Sequence, residues 1–276
     1  MTRTGPVVPV EDLVARIPDG SVLAVPRESC PVAMAATCAL IRRGVRDLHL
    51  VTVPTGGLQA DLLIGAGCVA TIETAGVDLG EHGPAPRFNR AVREGAVIIR
   101  DSTCPAVHAA LQAAEKGLPF MPIRGIVGSD LLVHRDDWRI IDNPFAEDDP
   151  IVVLSALRPD VALFHAPLGD REGNVWVGRD RELVTMAHAA RTTLVTVERV
   201  RDRSLLESDE TAAGTLPALY VEALAEAPGG ARPLGLAGHY LADDEHLRAY
   251  GEAARSDEGF ADYLARHVLA RAAAAE

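Results

Sequence analysis

The residues best suited to chemistry stand side by side in "LAVPRESCPVAMA" (Leu23–Ala35): Arg27, Glu28, Ser29 and Cys30 follow one apolar run and precede another. A carboxylate can act as acid, base or nucleophile, a guanidinium holds anions, and a hydroxyl or thiol can attack a carbonyl. Ser29 sits in Arg-Glu-Ser-Cys-Pro rather than the Gly-x-Ser-x-Gly of a hydrolase elbow, so it reads as a cap or packing residue with Cys30. In "VPTGGLQADLLIGAG" (Val53–Gly67), Thr55, Gly56 and Gly57 end an apolar run. Paired glycines there let backbone N–H groups approach an anion or carbonyl, or simply make a tight turn. No Gly-Lys-Ser/Thr or dinucleotide fingerprint accompanies them.

Two further polar, glycine-bearing loops are candidates for ligand contact. "MPIRGIVGSDLL" (Met121–Leu132) carries Arg124, Gly128, Ser129 and Asp130, and "DLGEHGPAP" carries the Glu81–His82 pair. In "RDSTCPAV" (Arg100–Val107), one of Ser102, Thr103 and Cys104 is expected to cap a helix. Glu198 closes "VTVE" and is read either as an arginine partner or as a site carboxylate; His165, ending a strand, and His188, on a helix, are read as structural. The nine histidines offer no metal cluster. The four cysteines form no Cys-x-x-Cys pair and are expected to be reduced, mostly buried thiols of a cytoplasmic protein.

The elements that must position these residues alternate. "SVLAV", "LHLVTV", "VATIET", "AVIIR", "PIVVLS", "VALFHA" and "TTLVTVE" read as strands, several apolar throughout, as in strands covered on both faces. Helical runs lie between them: one from Pro31 at its first position to Gly44, one ending at Gly95, one from near Pro105 to Gly117. The pattern predicts an α/β fold with a parallel-rich sheet flanked by helices, as one domain over residues 1–276. "HRDDWRIIDNPFAEDDP" (His134–Pro150) reads as a loop-like insertion without being a boundary, and the tail from Asp243 as charged helix. Ligands of such sheets bind beyond the carboxyl ends of the strands, which is where the Arg27 and Gly56 turns fall. The net charge of −12 argues against nucleic acid, and neither a signal peptide nor a membrane-length apolar run is seen.

Several segments together resemble the α (A) subunit of the family I CoA-transferases, nearest the glutaconate CoA-transferase type. They are "GGLQADLLIGAGCV", "GPAPRFNRAVREG", "GLPFMPIRGIVGSD", "NPF", "LRPDVALFHAPLGDREGN", "VTVE", "EAPGGARP" and "DDEHLRAYGEAARSDEGFADYL", in the family's order over most of the chain. The resemblance implies the family I CoA-transferase fold. It implies a homologous β subunit, in a heterodimer or heterotetramer, that carries the catalytic Glu. It also implies coenzyme A as substrate, with no metal and no tightly bound cofactor. The reaction implied moves CoA from an acyl-CoA to a small organic acid through a mixed anhydride and a glutamyl-CoA thioester. Contacts to substrate or CoA are then expected from Arg27, Thr55, Gly56, Gly57, Glu81, Arg124, Gly128, Ser129 and Asp130. The sequence departs from the family where Gly-Gly-Phe normally follows the first strand: Pro26, Arg27 and Glu28 stand there. That departure leaves two alternatives. One is an acyl-CoA hydrolase or lyase, including carbon–carbon hydrolysis, with Glu28 as acid/base and Arg27 holding a carboxylate or phosphate. The other is a non-catalytic scaffold for the β chain.

Overall fold

A computed structural model describes residues 7–270. The strands in chain order are β1 (Val22–Pro26), β2 (Leu48–Val53), β3 (Val69–Thr74), β4 (Ile98–Asp101), β5 (Phe120–Ile123), β6 (Trp138–Asp142), β7 (Pro150–Ser155), β8 (Val161–Asp170), β9 (Val175–Trp176), β10 (Thr192–Arg201), β11 (Thr215–Leu216) and β12 (Ala223–Glu226). The helices are α1 (Val10–Val14), α2 (Met34–Arg43), α3 (Leu58–Gly65), α4 (Pro86–Glu94), α5 (Cys104–Glu115), α6 (Leu131–His134), α7 (Arg181–Ala189), α8 (Asp209–Ala212), α9 (Asp244–Ala253) and α10 (Asp257–Tyr263).

Seven strands run parallel in the order β4-β3-β2-β1-β8-β10-β12, and β9 and β11 add antiparallel pairings at the far end of β8. From β1 the chain builds outward through β2, β3 and β4; the later strands build the other way from β8. The order therefore reverses between β1 and β8, and such a reversal opens a crevice at the strands' carboxyl ends. Alternation along β1 sends Leu23 and Val25 into one core, with residues of α2 and α3, and Ala24 into the opposite core, with residues of α5 and α7. Helices on both faces explain the unbroken apolar runs.

Gly44 and Gly95 close α2 and α4 in the left-handed region, at φ 75° and 64°. Thr103 caps α5, its hydroxyl accepting the Ala106 N–H at 3.3 Å. The expected start of α2 is displaced: the helix begins at Met34, and Pro31 precedes it. The reason lies in tertiary bonding. The Pro31 carbonyl accepts the His165 N–H at 3.0 Å, and the Ala35 N–H is given to Gly230 O at 2.9 Å. Ser29 and Cys30 consequently cap nothing. β8 and β10 run further than expected, because their pairing continues to Asp170 and Arg201. His165 and Glu198 are thus interior to their strands.

The segment 134–150, expected to be loop-like, contains β6. With β5 and β7 it forms a separate antiparallel sheet in the order β5-β7-β6, so "PIVVLS" lies outside the parallel sheet. This small sheet packs Trp138, Val152 and Leu154 against Ala106 and Ala109 of α5.

Buried Asp61 ties three helices together. It accepts the Phe88 N–H at 2.7 Å and the Tyr250 hydroxyl at 2.6 Å. Asp61→Ala leaves both donors buried without an acceptor and is expected to lower stability by about 2–4 kcal/mol in urea denaturation. Asp61→Asn keeps an acceptor and is expected to lose less.

Candidate functional site

Beyond the carboxyl ends of β1, β2 and β3 lies a cleft of about 330 Å³ lined by Arg27, Glu28, Ser29, Thr55, Gly56, Asp78 and Gly80. The β1–α2 connection supplies the first three, the β2–α3 turn the next two and the β3–α4 connection the last two. Glu28 is partly buried and folds over the glycine turn, where its Oε2 accepts the Leu58 N–H at 2.8 Å. Only glycine at 57 permits this. A Cβ there would lie 1.4 Å from Glu28 Oε2 and 2.5 Å from its Cδ. Gly56 is confined too, with the Ala60 Cβ 2.8 Å from the place its own Cβ would take. The Gly56 N–H is given to Gly76 O at 2.9 Å. The turn's donors at Gly56 and Leu58 therefore serve the protein itself, and the Glu28 carboxyl occupies the place where an anion was expected.

Burial pushes the Glu28 carboxyl up to about 7; the Leu58 N–H opposes the rise, and the charges of Asp78 and Asp61 add to it. Arg27 is no counter-ion for it. The Arg27 Nε pairs with Glu182 Oε2 at 3.1 Å while half of its side chain stays exposed. Glu182, in the first turn of α7, is nearly buried, with the Cys30 Sγ 3.6 Å from the same oxygen. The His108 Nε2 of α5 stands 3.3 Å from Oε1, but outside hydrogen-bond geometry. Burial pushes the Cys30 thiol up to about 11, which leaves it a packing group rather than a nucleophile.

A second polar cluster flanks the same loop. Glu198 receives the Tyr240 hydroxyl at 2.6 Å, the Gly229 N–H at 2.8 Å and a hydrogen bond to His165 Nε2 at 2.8 Å. Burial acts to raise the Glu198 carboxyl, but these hydrogen bonds outweigh it and hold the group below its ordinary value. Burial in turn lowers His165 against the pull of Glu198. Glu198 thus anchors the loop that follows β12, and its partners are a histidine and a tyrosine rather than an arginine.

The remaining sequence candidates lie elsewhere. Glu81 is exposed and outside the cleft lining, and His82 faces Asp244 at 3.4 Å. Arg124 directly follows β5, and its Nε meets Asp149 Oδ1 at 3.0 Å. Gly128, Ser129 and Asp130 form the β5–α6 connection and are not among the cleft-lining residues. Asp78, Glu182 and His108 were missed, since each reaches the site from an element distant in sequence and lacks a local motif. Among the described residues, no helix is long and apolar enough to cross a membrane.

The architecture is that of the CoA-transferases. The glutaconate coenzyme A-transferase of Acidaminococcus fermentans superposes with a TM-score of 0.89 and 25% identity, covering 96% of this chain and 89% of that one. The decarboxylase AibA/AibB superposes at 0.83 with 32% identity, covering 95% of this chain and all of that one. The A-type subunit of the 3-oxoadipate CoA-transferase of Pseudomonas knackmussii is 31% identical over 257 residues, 91% of this chain and 88% of that protein. Residues 7–227 match the Coenzyme A transferase family, and the chain belongs to it.

Proposed function

We propose that this chain is the A-type subunit of a heteromeric cytoplasmic enzyme that moves CoA between an acyl-CoA and a small organic acid. The observation that carries the reading is the cleft beyond the carboxyl ends of β1, β2 and β3, beside the reversal of strand order. It is walled by Arg27, Glu28 and the Gly56 turn. At about 330 Å³ it suits an acyl group, whereas ligand sites that enclose larger molecules reach about 1,000 Å³. The rest of a CoA thioester needs a further surface, as a homologous B-type subunit would supply. The relatives that are themselves A-type subunits of CoA-transferases support such an arrangement.

In this reading the partner's carboxylate attacks the thioester carbonyl and expels CoA thiolate. The thiolate returns to the glutamyl carbonyl of the resulting anhydride and releases the donor acid, leaving a glutamyl-CoA thioester. The acceptor carboxylate displaces the thiolate from that thioester, and the thiolate attacks the acceptor's carbonyl in the new anhydride, giving the new acyl-CoA and freeing the glutamate. Arg27, held by Glu182 and Cys30 with half of its side chain exposed, is placed to meet an anionic group of the substrate. A second reading, acyl-CoA hydrolysis or decarboxylation on the same frame, is favoured by the perturbed Glu28 and by the likeness to a decarboxylase.

The test is to co-express the chain with its B-type partner and supply acetyl-CoA with glutarate. Acceptor-dependent appearance of glutaryl-CoA is expected. Release of free CoA irrespective of acceptor would replace transfer by hydrolysis.

A further inference from the structure

We propose that Glu28 is a catalytic hydrogen-bond donor, its carboxyl acting in the acid form and presenting Oε1–H to the substrate carbonyl oxygen as negative charge develops there. The role rests on the reading above, in which a thioester carbonyl is attacked within this cleft.

Four observations converge on it. Glu28 lines the cleft beyond the carboxyl ends of β1, β2 and β3. Its Oε2 is fixed by the Leu58 N–H at 2.8 Å, and Oε1 has no partner among the described residues. A carboxyl fixed through one oxygen directs the other, and the glycine at 57 is what makes room for it. The charges around it favour the neutral form. Asp78 acts from the β3–α4 connection and Asp61 from α3, while the neighbouring cation, Arg27, is drawn to Glu182 on α7. Glu182 is in this sense a positioning residue: it keeps Arg27 from neutralising a Glu28 carboxylate.

The nucleophile's lone pair forms a bond to the carbonyl carbon, and the π pair moves onto oxygen. The Glu28 proton stays on Oε1 and shares its hydrogen bond with that oxygen. Collapse re-forms the carbonyl and breaks the carbon–sulfur bond, and the sulfur leaves as thiolate. A neutral acid at such a position avoids the repulsion that a carboxylate would exert on the forming oxyanion.

The experiment uses the complex with the B-type partner, acetyl-CoA and glutarate, over pH 5.5 to 9. The active form is the acid, so wild-type kcat is expected to hold below about pH 7 and to fall tenfold per unit above it. Glu28→Ala is expected to lose about 100-fold in kcat, the usual consequence of removing one oxyanion donor. Glu28→Gln retains a donor that does not titrate. It is expected to recover most of the activity at pH 6 and to lack the falling limb. A residue that merely caps α3 would leave the limb in place. Infrared titration of the same complexes gives a readout independent of turnover: a protonated-carboxyl band that disappears near pH 7 in wild type and is absent in Glu28→Gln. The proposal is overturned by a Glu28→Gln enzyme as inactive as Glu28→Ala, by a limb that persists in Glu28→Gln, or by absence of the band. No exchange in a wild-type complex that shows the band overturns the transfer reading, and this role with it.

Discussion

Replacing Arg135 with methionine is expected to destabilise the protein by about 3–5 kcal/mol and to loosen the small sheet from the large one. The Arg135 side chain is 2% exposed and lies where the two sheets meet. It gives one bond to Glu73 of β3 at 2.6 Å, two to Asp137 at 2.8 and 2.9 Å, and one to the Asp101 carbonyl at 3.1 Å. Its guanidinium also lies over the Trp138 ring, 4.2 Å from the centroid. Methionine keeps much of the packing but none of the donors. Glu73, with only 5% of its side chain exposed, would keep the more distant His49 and Arg100, at 3.6 and 3.8 Å.

The pH dependence checks the cause. Burial acts to raise the Glu73 carboxyl, but the hydrogen bonds and charges of His49 and Arg135 outweigh it and hold it below its ordinary value of 4.5. A carboxyl depressed in the folded state contributes stability that is present above its unfolded value and lost as pH falls through its folded one. The deficit of Arg135→Met is therefore expected to be full at pH 7 and to shrink as pH falls below about 4.5. Guanidinium denaturation at pH 7 and pH 4 measures both. A deficit under 1 kcal/mol at pH 7 would show that the network does not hold the sheets together, and one independent of pH would remove Glu73 from the account. Glu73→Gln in the Arg135→Met background is expected to restore part of the loss at pH 7.

This junction also shows which parts of the fold were readable in the chain. β2, β3 and β7 coincide with unbroken runs of strand-forming residues, since burial on both faces or against α5 demands such runs. β6 was missed because only Trp138 of its five residues is buried, and its remaining positions carry no alternation to detect. The two-residue β9 and β11 are set by partners rather than by propensity. At the site, Arg27 and Glu28 were legible from position alone, being the polar residues that follow the first strand. What each does was not legible. It depends on Glu182 and Asp78, which come from α7 and the β3–α4 connection, and on a glycine 29 positions after Glu28. The loop at 124–130 looked equally suited to ligand. Its arginine pairs with Asp149 beside the small sheet, a pairing that local sequence does not announce.

Gly57→Ala is expected to abolish the placement of Glu28 with a single methyl group. The added Cβ would stand 1.4 Å from Glu28 Oε2, 2.5 Å from Cδ and 2.9 Å from Cβ, so the side chain must leave the turn. The Leu58 N–H then loses its acceptor, and the carboxyl moves toward water, where its pKa returns toward the ordinary value near 4.5. Stability is expected to fall by about 1–3 kcal/mol, the usual range for overpacking. Activity is expected to fall about 100-fold if the acid is the donor, as in Glu28→Ala. A double-mutant cycle separates this cause from a general disturbance of α3. In Glu28→Ala the two closest atoms are gone and only the approach at 2.9 Å remains, so adding Gly57→Ala is expected to change stability and kcat far less than it does in wild type. Additive effects would mean that alanine at 57 harms the turn by itself. Strong coupling would mean that glycine is required there because a carboxyl must pass close to the backbone, so that positions 28 and 57 act as one structural unit.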